Sequence, residues 1–267
     1  MPSIWKKDPT RANLNEVLEG MYTIGNECRK QLREHVAPDD VEGEYFLGLL
    51  DRATAFADDL GNVLRHSRTG SLTSVNVIGR CIMDDFITLK YVLSSADRKE
   101  EIYTLNANAF YETLKKLRNL MEVNQKVYEG KFQFYPNADL IEDIEAKFFA
   151  RDDSGNYLFP DSTPKGLKFK KTRQLTQMAE AAGSKTNDDV GRAFYFWGIW
   201  SGYVHYSPST FGMEMYDQAD AENVNNRLQE LFINLWRIIC EALKNFMVEK
   251  KIQLKVPEIW RSFQFDV

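Results

Sequence analysis

Four residues in two segments carry side chains that can bind an anion or transfer a proton. Arg80 and Asp84 are four residues apart, and Ser201 and His205 have the same spacing. Residues with this spacing are neighbours on one face of an α-helix and can contact each other. A fixed guanidinium suits a carboxylate or a phosphate, because its planar fork of donors matches two oxygens. The sequence therefore predicts a polar pocket for an anion, provided that the two helices are adjacent.

The segment with Arg80 and Asp84 is predicted to be a helix over residues 72–93 that is apolar on nearly all sides. Such a helix is usually central, so both charges are expected to be partly buried. A buried charge is costly unless it is paired. Two interpretations stay open: an internal ion pair with a structural role, or the floor of a binding or catalytic pocket. Tyr91 falls on the same face and is a candidate ligand-binding residue.

The segment with Ser201 and His205 is rich in aromatic residues and glycine. Gly198 and Gly202 share a face of the predicted helix with the serine and the histidine, and Tyr203 is nearby. Glycine inside a helix costs about 1 kcal/mol relative to alanine. The two glycines therefore predict either close approach of a neighbouring backbone or access for a ligand. The Gly-x-Ser-x-Gly elbow and an orienting acid are both missing, which argues against a serine hydrolase.

This part of the chain resembles an uncharacterised bacterial family of all-α proteins. The resemblance rests on residues 171–183 (KTRQLTQMAEAAG) and 201–207 (SGYVHYS), and it spans about residues 49–211. Members carry Arg-x-x-x-Glu on an early helix and a Tyr-rich late helix that ends in Ser-x-x-Val-His. Here Arg80 and Asp84 take the place of the first motif, with Asp instead of Glu. The resemblance implies an all-α fold without an established activity, and one combined site of Arg80, Asp84, Ser201 and His205, with Tyr203 nearby.

A second motif leads to a different function. Arg29 and His35 are separated by five residues at the end of a predicted helix over residues 14–35. This spacing resembles the Arg-x4–6-His motif of HEPN-type ribonucleases, which are all-α and need no metal. The resemblance implies a metal-independent ribonuclease of a defence or toxin system, with RNA as its partner. A structural or interaction protein without an active site is the third alternative.

The composition narrows the class of protein. The chain has 267 residues, is 43% hydrophobic and 27% charged, and carries a net charge of -5. These values are typical of a globular protein and argue against one that coats nucleic acid through bulk charge. Three widely spaced cysteines predict neither a disulfide framework nor a zinc knuckle, and we expect no metal and no cofactor. Without a signal peptide or an apolar stretch that spans a bilayer, we expect a cytoplasmic protein with no membrane partner.

The hydrophobic periodicity predicts the elements that must position these residues. It indicates an all-α bundle of seven to eight helices in a single domain, residues 1–267. An irregular insertion is predicted at about 130–185, where turn signals near residues 151–164 are compatible with a small hairpin. The aromatic tail, residues 252–267, is expected either to fold back over the core or to dock on a second subunit. A homodimer through the helices or this tail is thus one expected assembly.

Overall fold

A computed structural model describes residues 11–37, 39–66, 73–148, 150–151, 157–158, 174–183, 189–204 and 221–257. The described residues form eight α-helices: α1 (Arg11–Leu32), α2 (Val41–His66), α3 (Thr73–Ser94), α4 (Arg98–Tyr128), α5 (Ala138–Phe148), α6 (Leu175–Ala182), α7 (Asp189–Ser201) and α8 (Ala221–Lys244). One π-helical turn, Asn245–Glu249, follows α8. Two short strands, β1 (Ala150–Arg151) and β2 (Tyr157–Leu158), pair antiparallel within the region where turn signals suggested a hairpin. The predicted all-α fold is confirmed.

The chain divides into two compact units. The first unit combines both ends of the chain, Met1–Ser94 and Gln174–Val267. The second unit is the continuous segment Ser95–Arg173. The second unit thus begins earlier than the insertion that the sequence predicts at about residue 130.

Helix α3 is the central element of the first unit. It packs against α2, α6, α7 and α8, which explains why its sequence is apolar on more than one side. Its contact with α7 and α8 depends on Gly79: a Cβ there would lie 2.9 Å from the Trp200 ring and 3.0 Å from a methyl group of Leu231. The absence of a side chain at this position therefore brings α3 and α7 close together.

The second unit is built on α4, which is unbroken over 31 residues. Asp97 caps its start by accepting a hydrogen bond of 3.0 Å from the Glu100 amide. The helix ends at Glu129, whose φ of 53° lies in the left-handed region. Leu114 on α4 and Ile141 on α5 form a small buried cluster. This cluster joins the two helices that the structure describes in this unit.

An aromatic loop follows α4 and is tied back to it. The Asn124 side chain donates to the Phe132 carbonyl at 3.0 Å and accepts from the Phe132 amide at 3.3 Å. Phe132 contacts the rings of Tyr128, Phe134 and Tyr135, at centroid distances of 4.9, 5.3 and 5.9 Å. The loop therefore presents a group of aromatic rings, of which Phe134 is 80% exposed.

The segment after α8 returns to the start of the chain. Gln31 on α1 exchanges two hydrogen bonds with the Lys255 backbone, at 2.9 and 3.1 Å. Lys250 pairs with Asp40, just before α2. The beginning of the predicted tail thus folds back on its own unit, while its aromatic residues from 258 onward lie outside the described residues.

Candidate functional site

The packing of α3 against α7 brings three of the predicted site residues together. The Nε of Arg80 donates a hydrogen bond of 3.1 Å to the Oγ of Ser201. The Nη1 of the same guanidinium lies 3.5 Å from the Oδ2 of Asp84, one helical turn further along α3. His205, the fourth predicted residue, lies outside the described residues. The structure thus brings Arg80 and Asp84 together with Ser201.

Trp197 completes the surroundings of Arg80. The guanidinium carbon lies 5.6 Å from the centre of the Trp197 ring, within the range of a cation–π contact. Ser201 donates its hydroxyl proton to the Trp197 carbonyl at 2.7 Å, which leaves the Ser201 oxygen free to accept from Arg80. Phe194 stacks on Trp197 with ring centroids 5.5 Å apart. Arg80 is therefore held by a hydroxyl, a carboxylate and an aromatic ring.

Sequence reasoning missed Trp197 as a site residue. A usable signal was present, because Trp197 precedes Ser201 by four residues and thus shares its helix face. The indole nitrogen is buried and has no hydrogen bond of good geometry among the described residues. Its N–H nevertheless acts on Asp84, whose pKa is raised by burial, and offsets part of that rise. The ring therefore contributes to the site with both its face and its edge.

Burial governs the charge of the two neighbouring carboxyls on α3. Burial raises the pKa of Asp84, and the positive charge of Arg80 offsets only part of this effect. Burial also raises the pKa of Asp85, to about 6, against the opposing effect of Arg52. The Asp85 side chain is 17% exposed, compared with 32% for Asp84. These two acids change their charge at a higher pH than ordinary aspartates.

Helix α2 supplies the groups that face Asp85. The Nε of Arg52 lies 2.5 Å from the Oδ2 of Asp85, and the Arg52 guanidinium also covers the ring of Phe56 at 5.0 Å. The buried Tyr45 hydroxyl has no hydrogen-bond partner among the described residues. Burial and the charge of Asp85 raise the pKa of Tyr45. These residues were not predictable from the sequence, because nothing in their spacing shows which helix packs beside α3.

Of the two explanations predicted for Gly198 and Gly202, close approach of a backbone has no support among the described residues. Both residues are exposed, and a Cβ at Gly198 would meet no described atom within 4 Å. Helix α7 instead turns Trp200 and Ser201 toward α3, so the close approach occurs at Gly79. The remaining explanation is access, because Arg80 and Asp84 keep 30% and 32% of their side-chain surface in solvent. The two glycines leave the outer side of α7 bare next to Ser201.

The other predicted residues have different surroundings from Arg80. Tyr91 is buried eleven residues further along α3, a rise of about 16 Å. Tyr203 is buried just beyond the end of α7. In the alternative motif, Arg29 pairs with Asp51 at 3.2 Å, and His35 is exposed in the turn after α1. The ion pair of Arg29 is therefore with α2, not with the α3 and α7 residues around Arg80.

Comparison with known proteins identifies a family for this chain. A family model described as a family of unknown function (DUF5677) matches residues 45–223. The chain belongs to this family. The predicted resemblance to an uncharacterised family is thereby confirmed. The match includes Arg80, Asp84 and Ser201 but not Arg29 or His35. No curated protein and no solved structure matches the chain.

None of the described helices combines the length and the apolar character needed to cross a membrane. Within the described part of the chain, no three His, Cys, Asp or Glu side chains are grouped so that they could hold a metal ion.

Proposed function

We propose that this protein is a binding module for a small anionic ligand and that the guanidinium of Arg80 is the receptor. The observation that carries the proposal is the fixed position of Arg80 between Ser201, Asp84 and Trp197, with about a third of its side chain in solvent. A guanidinium that is already oriented loses little rotational freedom when it binds an anion. Carboxylate, sulfate and phosphate groups match its donor geometry.

The charges around Arg80 allow an external anion to replace Asp84 as the partner of the guanidinium. Arg80 and Arg52 face the carboxylates Asp84 and Asp85, so the four groups together have no net charge when all are ionised. Arg80 makes a longer ion pair than Arg52, at 3.5 Å compared with 2.5 Å. Arg52 is the more exposed side chain, at 53% compared with 30%, but Arg80 is the guanidinium that is less tightly paired with its carboxylate.

The bare surface beside Ser201 supports the same function. Gly198 and Gly202 are exposed and have no side chains, so the backbone of α7 is open to solvent next to the Ser201 hydroxyl that accepts a hydrogen bond from Arg80. A helix in which packing alone decided the sequence would gain about 1 kcal/mol from alanine at Gly198. Glycine is retained at this position, we infer, because a larger side chain would occupy the space that the ligand needs. Gly198→Leu is accordingly expected to block binding without unfolding the chain.

A cytoplasmic location is part of the proposal. Cys28, Cys81 and Cys240 are all free thiols. Free thiols are typical of a reducing compartment.

Anion binding is tested by titration calorimetry of the full chain with sulfate, acetate and inorganic phosphate at constant ionic strength. We expect at least one of the three to bind, and Arg80→Gln to abolish this binding while the circular dichroism spectrum is unchanged. Arg237→Gln is the matched control, because Arg237 is exposed to the same degree as Arg80 and pairs with Asp189 at 3.1 Å. Binding that persists in Arg80→Gln, or a wild-type chain that binds none of the three anions, would overturn the proposal.

A further inference from the structure

Asp84 occupies the same guanidinium that the proposed ligand needs. Its carboxylate lies 3.5 Å from Arg80, and both side chains remain partly in solvent. An anion that reaches Arg80 therefore arrives next to a resident negative charge. Asp85, the next residue in the chain, adds a second carboxylate on a neighbouring face of α3. The repulsion between like charges at such distances is strong when the groups are partly desolvated.

We propose that an anion bound at Arg80 is taken up together with one proton, which the Asp84–Asp85 pair receives. This inference rests on the proposed function and describes how that site is regulated. The proton neutralises one carboxylate, so the charge of the four-residue cluster becomes positive before the anion is counted. No bond other than the new carboxyl O–H is formed, and the proton comes from solvent.

Burial favours this proton uptake, and the neighbouring cations and the Trp197 N–H oppose part of it. Burial raises the pKa of both acids, and that of Asp85 lies at about 6, so little energy is needed to protonate the pair near neutral pH. Helix α2 contributes Arg52 and the buried Tyr45 hydroxyl. Helix α7 contributes the indole N–H of Trp197. The negative charge of Asp84 adds to the rise in the pKa of Asp85.

Most of the neighbouring charges on the remaining helices around α3 are paired with other residues or exposed. On α8, Glu241 pairs with Lys90, Glu230 with Arg192, and Arg237 with Asp189, while Arg227 is partly buried and Lys244 is exposed. On α6, Glu180 is the charged residue, and it is exposed. The proton balance of the site is therefore set mainly by the groups on α2, α3 and α7.

Sulfate is the probe for this inference, because it does not take up a proton near neutral pH. Calorimetric titration in two buffers with different enthalpies of ionisation gives the number of protons bound with each sulfate. We expect about one proton per sulfate, and affinity that falls by up to about tenfold from pH 6.5 to pH 7.5. Asp84→Asn and Asp85→Asn should each lower the proton uptake and flatten this pH dependence. Asp189→Asn, which removes the carboxylate paired with Arg237, should leave both unchanged.

The outcomes separate this inference from the proposed function. Sulfate binding that depends on Arg80 but takes up no proton would overturn the inference and leave the proposed function in place. Sulfate binding that is the same in Arg80→Gln would overturn the proposed function, and the inference with it. A proton uptake that stays at the wild-type value in both Asp84→Asn and Asp85→Asn would show that another group receives the proton and would also overturn the inference.

Discussion

Replacing Gly79 with alanine tests the close approach of α3 and α7 on which the site depends. The new methyl group would lie 2.9 Å from two carbons of the Trp200 ring and 3.0 Å from a methyl group of Leu231. Both distances are shorter than normal carbon–carbon contacts. Trp200 is almost fully buried, so its ring cannot turn away into solvent. Either α7 or the backbone of α3 must move.

The expected magnitude follows from two opposing effects. Alanine stabilises a helix interior by about 1 kcal/mol relative to glycine. An extra methyl group in a well-packed core costs about 1–3 kcal/mol. Gly198 and Gly48 are exposed helical glycines with no described atom within 4 Å of a new Cβ, so they undergo only the first effect. Gly79→Ala is therefore expected to be about 1–3 kcal/mol less stable than Gly198→Ala or Gly48→Ala.

Urea unfolding of the full chain, followed by far-ultraviolet circular dichroism, measures this difference. Gly198→Ala and Gly48→Ala should unfold at higher urea than the wild type, and Gly79→Ala at lower urea than either. The slope of the transition should be the same in all variants, since the surface exposed on unfolding does not change. Equal midpoints for Gly79→Ala and Gly198→Ala would refute the close approach. Sulfate titration of Gly79→Ala would then show whether Arg80 keeps its geometry.

Three further predictions concern other parts of the chain. Burial raises the pKa of Asp85 from 3.8 to about 6, so the folded state retains a proton that the unfolded state loses. The free energy of unfolding should therefore fall by at most about 3 kcal/mol as the pH rises from about 4 to 6. Asp85→Asn should remove this fall, which unfolding curves across that pH range measure. Asn124→Ala removes both hydrogen bonds to the Phe132 backbone, and the Phe132 amide should then exchange its hydrogen faster in mass-spectrometric measurements, with unchanged exchange in α1. The Arg29 guanidinium is paired and His35 is exposed, so we expect RNA incubated in EDTA to remain equally intact with the wild-type chain and with His35→Ala. RNA cleavage by the wild type that His35→Ala abolishes would instead support the ribonuclease hypothesis.

The helices were predictable because their apolar residues recur at three- and four-residue steps. This periodicity located α3 to within one residue at each end, and the apolar character of its other faces correctly predicted a central position. The ion pair of Arg80 and Asp84 was predictable for the same reason, since a four-residue spacing fixes the distance within a helix. Local geometry is encoded in local sequence.

Contacts between helices were harder to predict. The sequence predicted either close approach or ligand access at Gly198 and Gly202, but the close approach of α3 and α7 occurs at Gly79, because the role of a glycine depends on which neighbour faces it. Arg52 and Asp85 are 33 residues apart, and only the packing of α2 against α3 reveals that they form an ion pair. Burial, which raises the pKa of Asp85, likewise results from tertiary packing and has no signature in the spacing of residues.

The first unit is assembled from both ends of the chain, and this has a consequence for protein synthesis. Ser201, which holds Arg80, is translated 121 residues after it, and Lys255 follows its partner Gln31 by 224 residues. At translation rates of about 5–20 residues per second, Arg80 waits roughly 6–24 s for its partner. The second unit is continuous and is complete on the ribosome before α6, α7 and α8 exist. During that interval α3 lacks the helices α6, α7 and α8 that later pack on its apolar faces. The nascent chain is therefore most exposed to aggregation or chaperone binding at a stage when its second unit is already complete.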